Sequence, residues 1–571
     1  MKINGFKLKY SASELKKKVS KEMRQIVLID KEHKSYKNLS EGDKKALGYL
    51  VNAARIINDV ALEMDHPMNL VQKQALEVAA EKSPYAANAL KLFNSLNGVA
   101  GSNGIDKEPV ELFEGISQYD GRNFYPTDLN VKELCRILNK MLDDGKADEV
   151  RRILSARTMV RRDGEYLKAI DYTEYFADEF SEIANELECT AHFTTDELFK
   201  DYLGWQAQAL LQNNEEMDIL ADKHWAEMQN TPLEFTLSRE NYDDKLTSQL
   251  FSDKKLCERL EKLNINPVPK DMLGIRVGIV NKEGTELLLK FKDEMSKLAS
   301  LMPYSDKYEQ NVGGKKGLKQ TMVDVDIAAL TGDYALCRGG ITLAQNLPNN
   351  DKPSLTHGGG RRNVYHRQVR QSGESDKTKK ILEKLVIPTL HKYYDNEYDH
   401  LFTIGHENGH SLGPDSTYQT ALGIYHHIIE EHKADMVSAA MMPEYVKAGI
   451  ISEEELKSIY VTWIVKRHFM LAYPQDKEAH RMADLIEYNY LHDYGAFWFD
   501  DKKKLHVDFA KMQSGSRSLL EKIIEVQLSK SPEFAKKFVD KWTEWGEMLK
   551  YISDFKQSLG IRPYIDIISY F

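Results

Sequence analysis

The chain has little cysteine, no long apolar run and no excess of positive charge. Its cysteines are far apart and never spaced as C-x-x-C, which argues against a disulfide framework and against a thiolate zinc site: Cys135, Cys189, Cys257 and Cys337. No stretch of about 18 apolar residues occurs, so the sequence predicts no membrane span. The formal net charge of −10, with both signs mixed, gives no electrostatic footprint for a nucleic-acid partner.

Two further segments bear on partners and location. One short basic stretch follows three glycines, and we predict a solvated loop there: Arg361, Arg362, His366, Arg367 and Arg370. The segment Met1–Ser20 carries lysines without an apolar core, which is not typical of a secretory signal. We therefore expect a cytoplasmic protein that binds neither nucleic acid nor a membrane, as a monomer or a homodimer.

The 571 residues are too many for one hydrophobic core, and 42% hydrophobic with 29% charged residues is ordinary for a folded protein. Periodicity predicts an α-rich mixed α/β fold. The predicted helices are Lys44–Leu62, Val131–Met141, Glu174–Leu187, Glu286–Leu301, much of Asp376–Ala472, and Asp476–Tyr490. The predicted strands are Leu273–Val280, Met322–Leu330 and Gly340–Leu347, with a hairpin at Ala496–Phe509 and an extended segment after Gly560.

The sharpest motif is His406-Glu407-Asn408-Gly409-His410, an H-E-x-x-H pattern. On a helix, side chains four residues apart share a face, so both imidazoles can reach one ion. Glu407 lies about 100° around the helix from His406, where it can take a proton from an attacking water without ligating the metal. Glycine disfavours helix by about 1 kcal/mol, so Gly409 is not there for helix stability.

A second motif supplies the missing ligand. A catalytic zinc needs a third protein ligand, and Glu430-Glu431-His432-Lys433-Ala434-Asp435 follows within a predicted helix, Thr420–Met442. Glu431 and Asp435 are four apart and share a face. We therefore expect Glu431 to bind the metal, and Asp435 to accept the outer N–H of a ligating histidine. The motifs together predict one Zn²⁺ per chain and a zinc peptidase.

Four separate tracts of this chain resemble the dipeptidyl-peptidase III family of zinc metallopeptidases. Two are His406–His410 and Glu430–Asp435, which are similar to that family's histidine motif and its E-E-x-x-A-E/D motif. The third, Gly340–Asp351, resembles a substrate-binding segment that ends in N-x-P-N-x-D. The fourth, Gly121–Asp128, resembles an N-F-Y-P-x-D tract of shorter members. A histidine in the position of His480 also matches the family.

The resemblance implies two lobes separated by a wide cleft, with the zinc site on two helices of the mainly helical lobe. We expect an N-terminal lobe over 1–270, mainly helical with part of a small sheet or barrel. A catalytic lobe is expected over 271–555, with 320–370 as a candidate return to the first lobe, and a tail over 556–571. The implied activity is the release of dipeptides from the N-termini of short peptides.

The resemblance also assigns roles. Asn346 and Asn349 would bind the substrate's backbone or amino end, His480 would stabilise the tetrahedral intermediate, and Glu430 would support the ligands beside Asp435. The chain departs from the family in two places. Its histidine motif has five residues where most members have six. Within Leu233–Asp244, Phe235 aligns with the tyrosine that lies beside the reacting carbonyl, and Tyr242 remains nearby.

Two alternatives stay open at the level of sequence. Another gluzincin, an aminopeptidase or an endopeptidase, fits the H-E-x-x-H pattern with a downstream glutamate equally well. A catalytically weak peptide-binding protein on the same scaffold fits the unmatched tyrosine, since a lost oxyanion donor lowers a rate by roughly 100-fold or more.

Overall fold

The computed structural model describes the chain except residues 104–107, 241–243, 311, 313–318, 336–342, 348–358, 373–374, 472–477 and 561. The described residues form two compact units. The first unit comprises 1–280, 325–341 and 562–571, and the second comprises 281–324 and 342–561. The first unit thus takes up 325–341, rather than the whole of the predicted return segment 320–370.

The first unit is mainly helical. Its helices are Ala12–Lys21, Lys34–Lys37, Glu41–Asp65, Asn69–Ala80, Pro84–Leu96, Val131–Asp143, Ala147–Ile153, Tyr172–Tyr175, Ala177–Phe193, Glu197–Gln212, Glu215–Glu227, Lys245–Leu250 and Lys254–Lys262. The predicted helix Lys44–Leu62 is confirmed within Glu41–Asp65, which begins where the Ser40 side chain accepts the Asp43 N–H. The helix Val131–Asp143 likewise begins at Asn130 and buries Leu134, Ile137, Leu138 and Met141.

The strands of the first unit pair locally, with one exception. They are Lys2–Ile3, Phe6–Lys7, Met23–Val27, Ala100–Ser102, Pro109–Glu111, Thr158–Asp163, Tyr166–Asp171, Leu233–Glu240, Met272–Asn281, part of Lys319–Gly332, and Tyr564–Ile568. Leu233–Glu240 runs antiparallel to Met272–Asn281, with Phe235 opposite Val277. The exception is Tyr564–Ile568, which pairs in parallel with Met23–Val27.

The second unit is a helical assembly around a large apolar core. Its helices are Lys282–Asp293, Met295–Leu301, Arg367–Gln371, Ser375–Leu385, Asn396–Gly409, Ser416–Thr420, His426–Lys447, Glu453–Lys466, Ala479–Asp493, Phe509–Ser529, Pro532–Trp542 and Glu547–Ser558. Its strands are Ala344–Leu347, Gly360–His366, Phe497–Phe499 and Leu505–Val507, beside the start of Lys319–Gly332. The predicted hairpin at Ala496–Phe509 is confirmed by the pairing of Phe497–Phe499 with Leu505–Val507.

Three predicted segments differ from the structure in their bounds or their character. The helix predicted at Thr420–Met442 begins at His426, because Gly423 has a φ of +60° that interrupts the helical path. The predicted helix Glu286–Leu301 is two helices that meet at Glu294. The basic stretch is not a solvated loop but the strand Gly360–His366 followed by the helix Arg367–Gln371. Arg362 is fully buried, with Nη1 donating to the Thr321 hydroxyl at 3.1 Å. A hydrogen-bonded arginine tolerates such burial.

Within the described ranges, no helix combines the length and the apolar character needed to cross a membrane.

Candidate metal centre

Both histidines of the H-E-x-x-H motif lie at the end of one helix. This histidine helix, Asn396–Gly409, begins at Asp395, whose side chain accepts the Glu397 N–H. His410 follows as its last residue, still in helical conformation. Because the helix continues through the whole motif, the two imidazoles share a face and their Nε2 atoms lie 3.2 Å apart.

Two glycines let a second helix approach this one closely. The second helix, His426–Lys447, is called here the glutamate helix. A Cβ added at Gly409 would lie 2.8 Å from the Ala434 carbonyl oxygen, and one at Gly405 would lie 2.4 Å from the Ser438 hydroxyl. Glycine at 409 is therefore explained by packing, since any larger residue would force the helices apart.

The close contact brings Glu431 to the two histidines. Its Oε2 lies 3.4 Å from Nε2 of His406 and 3.7 Å from Nε2 of His410. This group of three residues is called the His406 centre. Ligand atoms held tetrahedrally about 2.0–2.1 Å from zinc are roughly 3.3–3.4 Å apart, so the separations fit a shared ion.

The outer nitrogens of both rings face carboxylates. His406 Nδ1 lies 2.7 Å from Asp435 Oδ1, and His410 Nδ1 lies 3.1 Å from Glu430 Oε1. A carboxylate accepts, so each Nδ1 carries the proton and each Nε2 presents a lone pair. Three acceptors thus converge, and Oε2 of Glu431 is buried without a hydrogen bond. A bound cation would satisfy all three acceptors at once, so this set of ligand atoms fits zinc.

Neighbouring charges keep these carboxylates ionised. Burial raises the pKa of Asp435, but the Arg467 guanidinium, with Nη1 at 3.1 Å from Oδ1, and the His406 ring lower it by more. Burial also raises the pKa of Glu430, and Lys433, whose Nζ lies 2.8 Å from Oε1, outweighs it. The pKa of Glu431 is lowered on balance, because His480, His410 and His406 outweigh the effect of burial. The site therefore carries the negative charge that a divalent cation requires.

A buried polar network holds the histidine helix from the other side. Asn346 Nδ2 donates to Asn363 Oδ1 at 2.6 Å and to the backbone carbonyl of Glu407 at 3.1 Å. Arg361 Nη1 donates to Asn346 Oδ1 at 2.8 Å. All the polar atoms of the Asn346 side chain thus contact the protein, and its predicted role towards substrate stays a prediction. Its observed contacts position Glu407, which is 6% exposed.

Sequence reasoning missed the other members of this network. Gln320 Nε2 donates to Asn363 Oδ1 at 3.2 Å and to the Ser411 hydroxyl at 3.3 Å, while Asn363 Nδ2 donates to the Tyr365 hydroxyl at 3.3 Å. No motif marks these residues. The one available signal was Ser411, which directly follows His410.

His480 lies beside the His406 centre. Its Nδ1 is 3.2 Å from Glu431 Oε2, and its ring centroid is 6.2 Å from that of His406. The Glu431 carboxylate raises the pKa of His480. More than half of its side chain is exposed, at 56%, so a group outside the protein can reach it.

Three other predicted residues are not part of the described centre. Asn349 and Tyr242 lie outside the described residues. Phe235 belongs to the first unit, where it is fully buried and its carbonyl accepts the Tyr202 hydroxyl at 3.0 Å.

The architecture has close counterparts among solved structures. A dipeptidyl-peptidase III structure from Caldithrix abyssi superimposes with a TM-score of 0.78 at 24% identity, covering 97% of this chain and 98% of that one. One from Corallococcus sp. strain EGB gives 0.74 at 19% identity, covering 98% and 97%. The chain has the dipeptidyl-peptidase III fold. The resemblance to the dipeptidyl-peptidase III family, which four short tracts predict, is thus confirmed at the level of the fold.

Comparison of the sequence with those of other proteins finds one relative. Nudix hydrolase 3 of Arabidopsis thaliana is 24% identical over 549 residues, which cover 86% of this chain. The chain spans 66% of the length of that protein. No family model matches the sequence.

Proposed function

We propose that this chain is a zinc-dependent metallopeptidase that releases dipeptides from the N-termini of short peptides. The observation that carries the proposal is the convergence of three acceptors, on His406, His410 and Glu431, with separations of 3.2, 3.4 and 3.7 Å. The likeness to solved dipeptidyl-peptidase III structures supports the dipeptide specificity.

His406, His410 and Glu431 would hold the zinc, and the ion would supply Lewis-acid polarisation of the scissile carbonyl and a more acidic attacking water. Glu407 takes the proton of that water. It is suited to the task because it follows His406 directly in the helix and is nearly buried, and because Asn346 fixes its backbone. The carboxylic acid then delivers the proton to the leaving amine, which makes Glu407 general base and general acid in turn.

His480 is proposed to stabilise the tetrahedral intermediate, as a ring that is exposed and held near Glu431. Its raised pKa favours the protonated form, which is the form that stabilises a developing oxyanion. Asn346 and Asn349 are proposed to bind the amino end or the backbone of the peptide. Asn346 would have to exchange its present bonds to Asn363 and Arg361 for that contact.

The test is product analysis combined with one isosteric variant. Purified zinc-loaded protein is offered a peptide of known sequence and a dipeptidyl-arylamide, and products are weighed by mass spectrometry. Sequential dipeptides support the proposal. Single residues identify an aminopeptidase and internal fragments an endopeptidase, and tight peptide binding without turnover identifies a peptide-binding protein; each of these three results overturns dipeptide release.

Glu407→Gln keeps the shape of the side chain but removes the base. We expect the rate to fall by roughly 10²–10⁴-fold while zinc content is unchanged. Glu397→Gln, an exposed position on the same histidine helix, is the matched control and is expected to retain full activity. Full activity of Glu407→Gln would refute the role given to Glu407.

A further inference from the structure

A second group of metal-binding side chains lies in the second unit. It consists of His432, His468, Asp484 and Glu487, called here the His468 cluster. His432 belongs to the glutamate helix, His468 to the single turn His468–Met470, and both carboxylates to the helix Ala479–Asp493. His432 lies within the second motif, but no motif links the four residues, because they come from three separate elements.

The ligand atoms of this cluster lie close together. His468 Nε2 is 3.4 Å from Glu487 Oε2, and His432 Nε2 is 4.0 Å from Glu487 Oε1. One ligand atom each from His468, Asp484 and Glu487 lie within 4.8 Å of one another. On the helix Ala479–Asp493 the two carboxylates are three residues apart, which places them on one face.

Burial makes this arrangement costly for the protein alone. His432, His468 and Glu487 have no exposed surface. Within the part of the chain that the structure describes, five buried polar atoms of the four residues make no hydrogen bond: both ring nitrogens of His432, His468 Nδ1, Asp484 Oδ1 and Glu487 Oε1. Buried polar groups are nearly always satisfied, so this concentration of unpaired donors and acceptors calls for a bound group.

The chemistry of the cluster suits a cation. Asp484 and Glu487 bring two carboxylates to one place, and His468 adds a ring nitrogen within 4.8 Å of both. The neighbouring Arg467 guanidinium already binds Asp435, with Nη1 at 3.1 Å from Oδ1. A cation bound between the carboxylates and the imidazole would satisfy the unpaired acceptors.

We propose that the His468 cluster is a second metal site, distinct from the His406 centre, that binds a divalent transition-metal ion through His468, Asp484 and Glu487. His432 lies beside these ligands, with Nε2 4.0 Å from Glu487 Oε1. One imidazole and two carboxylates suit zinc and, with higher coordination, manganese or iron. Bound there, the ion ties the helix Ala479–Asp493, which carries His480, to the turn His468–Met470.

The test counts metal ions in the full-length chain, using zinc alone as the probe. After saturation with zinc and removal of excess metal, elemental analysis is expected to find about two ions per chain in the wild type. Glu487→Gln and Glu431→Gln are each expected to retain about one, and the double variant none. Asp493→Asn, the same change on an exposed residue of the helix Ala479–Asp493, is the control and keeps both.

Two results would overturn the second site: about one ion in the wild type with none in Glu431→Gln, or two ions retained in Glu487→Gln. Because Glu487→Gln also alters the buried contact with His468, wild-type crystals give an independent answer. Anomalous scattering at the zinc edge should show one peak at the His406 centre and one between His468 and Glu487; a peak at the His406 centre alone refutes the proposal. These readouts do not depend on peptide hydrolysis, so failure of the proposed function would be seen separately.

Discussion

Each unit contains a cluster of acceptor atoms, and the two clusters differ in whether the chain itself supplies a cationic side chain between the acceptors. In the first unit, Lys270 Nζ donates to the carbonyl oxygens of Ile153 and Ser155 and to the Thr158 hydroxyl, at 2.8, 2.7 and 2.7 Å. In the second unit, the acceptors of the His406 centre converge in the same way, but among the described residues no lysine or arginine pairs with them, although His480 Nδ1 lies 3.2 Å from Glu431 Oε2. Three acceptors with a lysine between them form a structural element, and three acceptors without one form a binding site.

The comparison explains why burial alone does not mark a functional site. Lys270 is as completely buried as Asp435, yet its pocket is complete because the chain itself supplies the nitrogen. The useful criterion is whether the polar groups that meet include both donors and acceptors or acceptors alone. Where donors and acceptors balance, the cluster stabilises the fold; where acceptors alone meet, a ligand is required.

The largest effect is expected when an acceptor is taken from the His406 centre. His410→Ala leaves two ligands, and zinc affinity should fall by more than the roughly 10–100-fold that losing an outer partner causes. Elemental analysis after dialysis measures the loss. The matched change in the other pocket, Lys270→Met, should leave zinc content at the wild-type value; equal losses in both variants would contradict the distinction between the pockets.

Asp435→Asn tests the outer support of the same centre. The amide oxygen still accepts from His406 Nδ1, but the negative charge that faces the ring and Arg467 is gone. We expect zinc affinity to fall by roughly 10–100-fold, measured by competition with a chelating dye. Asp493→Asn is again the control, and an affinity of Asp435→Asn within about twofold of the wild type would show that the outer charge is unimportant.

Replacement of one glycine by alanine in each unit is expected to change the free energy of unfolding by a smaller amount, and in opposite directions in the two units. Gly409→Ala should weaken zinc binding and destabilise the second unit by about 1–3 kcal/mol, because the added methyl meets the Ala434 backbone. Gly48→Ala, in the helix Glu41–Asp65 with open space around it, should stabilise the first unit by about 0.5–1 kcal/mol. Thermal unfolding with and without zinc distinguishes them. A stabilised Gly409→Ala would mean that the helices are not in close contact.

The last prediction concerns pH and the Lys270 pocket. Burial lowers the pKa of Lys270 to about 7, against an unfolded value of about 10.4. Between these values the unfolded chain binds the proton more strongly, so the free energy of unfolding should rise with pH, by at most about 1.4 kcal/mol per pH unit.

Urea unfolding at pH 7 and pH 9 measures this slope. Lys270→Met should be less stable at both values, because three acceptors lose their donor, and should lack this contribution to the slope. Lys31→Met, at an exposed position, should keep the wild-type slope. An unchanged slope in Lys270→Met would mean that the lysine stays charged in the folded protein.

More of the His406 centre than of its surroundings could be predicted from the sequence. Spacing alone placed His406, His410 and Glu431 on two helices, because the four-residue interval fixes which side chains share a face. The contact that sets the distance between those helices was not predictable: Gly409 is conspicuous in a helix, but the sequence does not reveal that Ala434 lies opposite.

Features that depend on long-range pairing were predicted poorly. Arg362 looks like a surface residue until its strand is paired with Ala344–Leu347 and its guanidinium meets Thr321. The His468 cluster was missed for the same reason, since no spacing links His432 with Asp484 or Glu487. Local periodicity, in contrast, located Val131–Asp143 and Met272–Asn281 to within a few residues.

The parallel pairing of Tyr564–Ile568 with Met23–Val27 has a consequence for synthesis on the ribosome. Its side-chain contact between Gln25 and Asp566 joins residues 541 positions apart. At about 5–20 residues per second, the later strand emerges roughly half a minute to two minutes after the earlier one. Met23–Val27 must wait through translation of the entire second unit with its edge unpaired, so a nascent-chain chaperone has its longest opportunity to bind there.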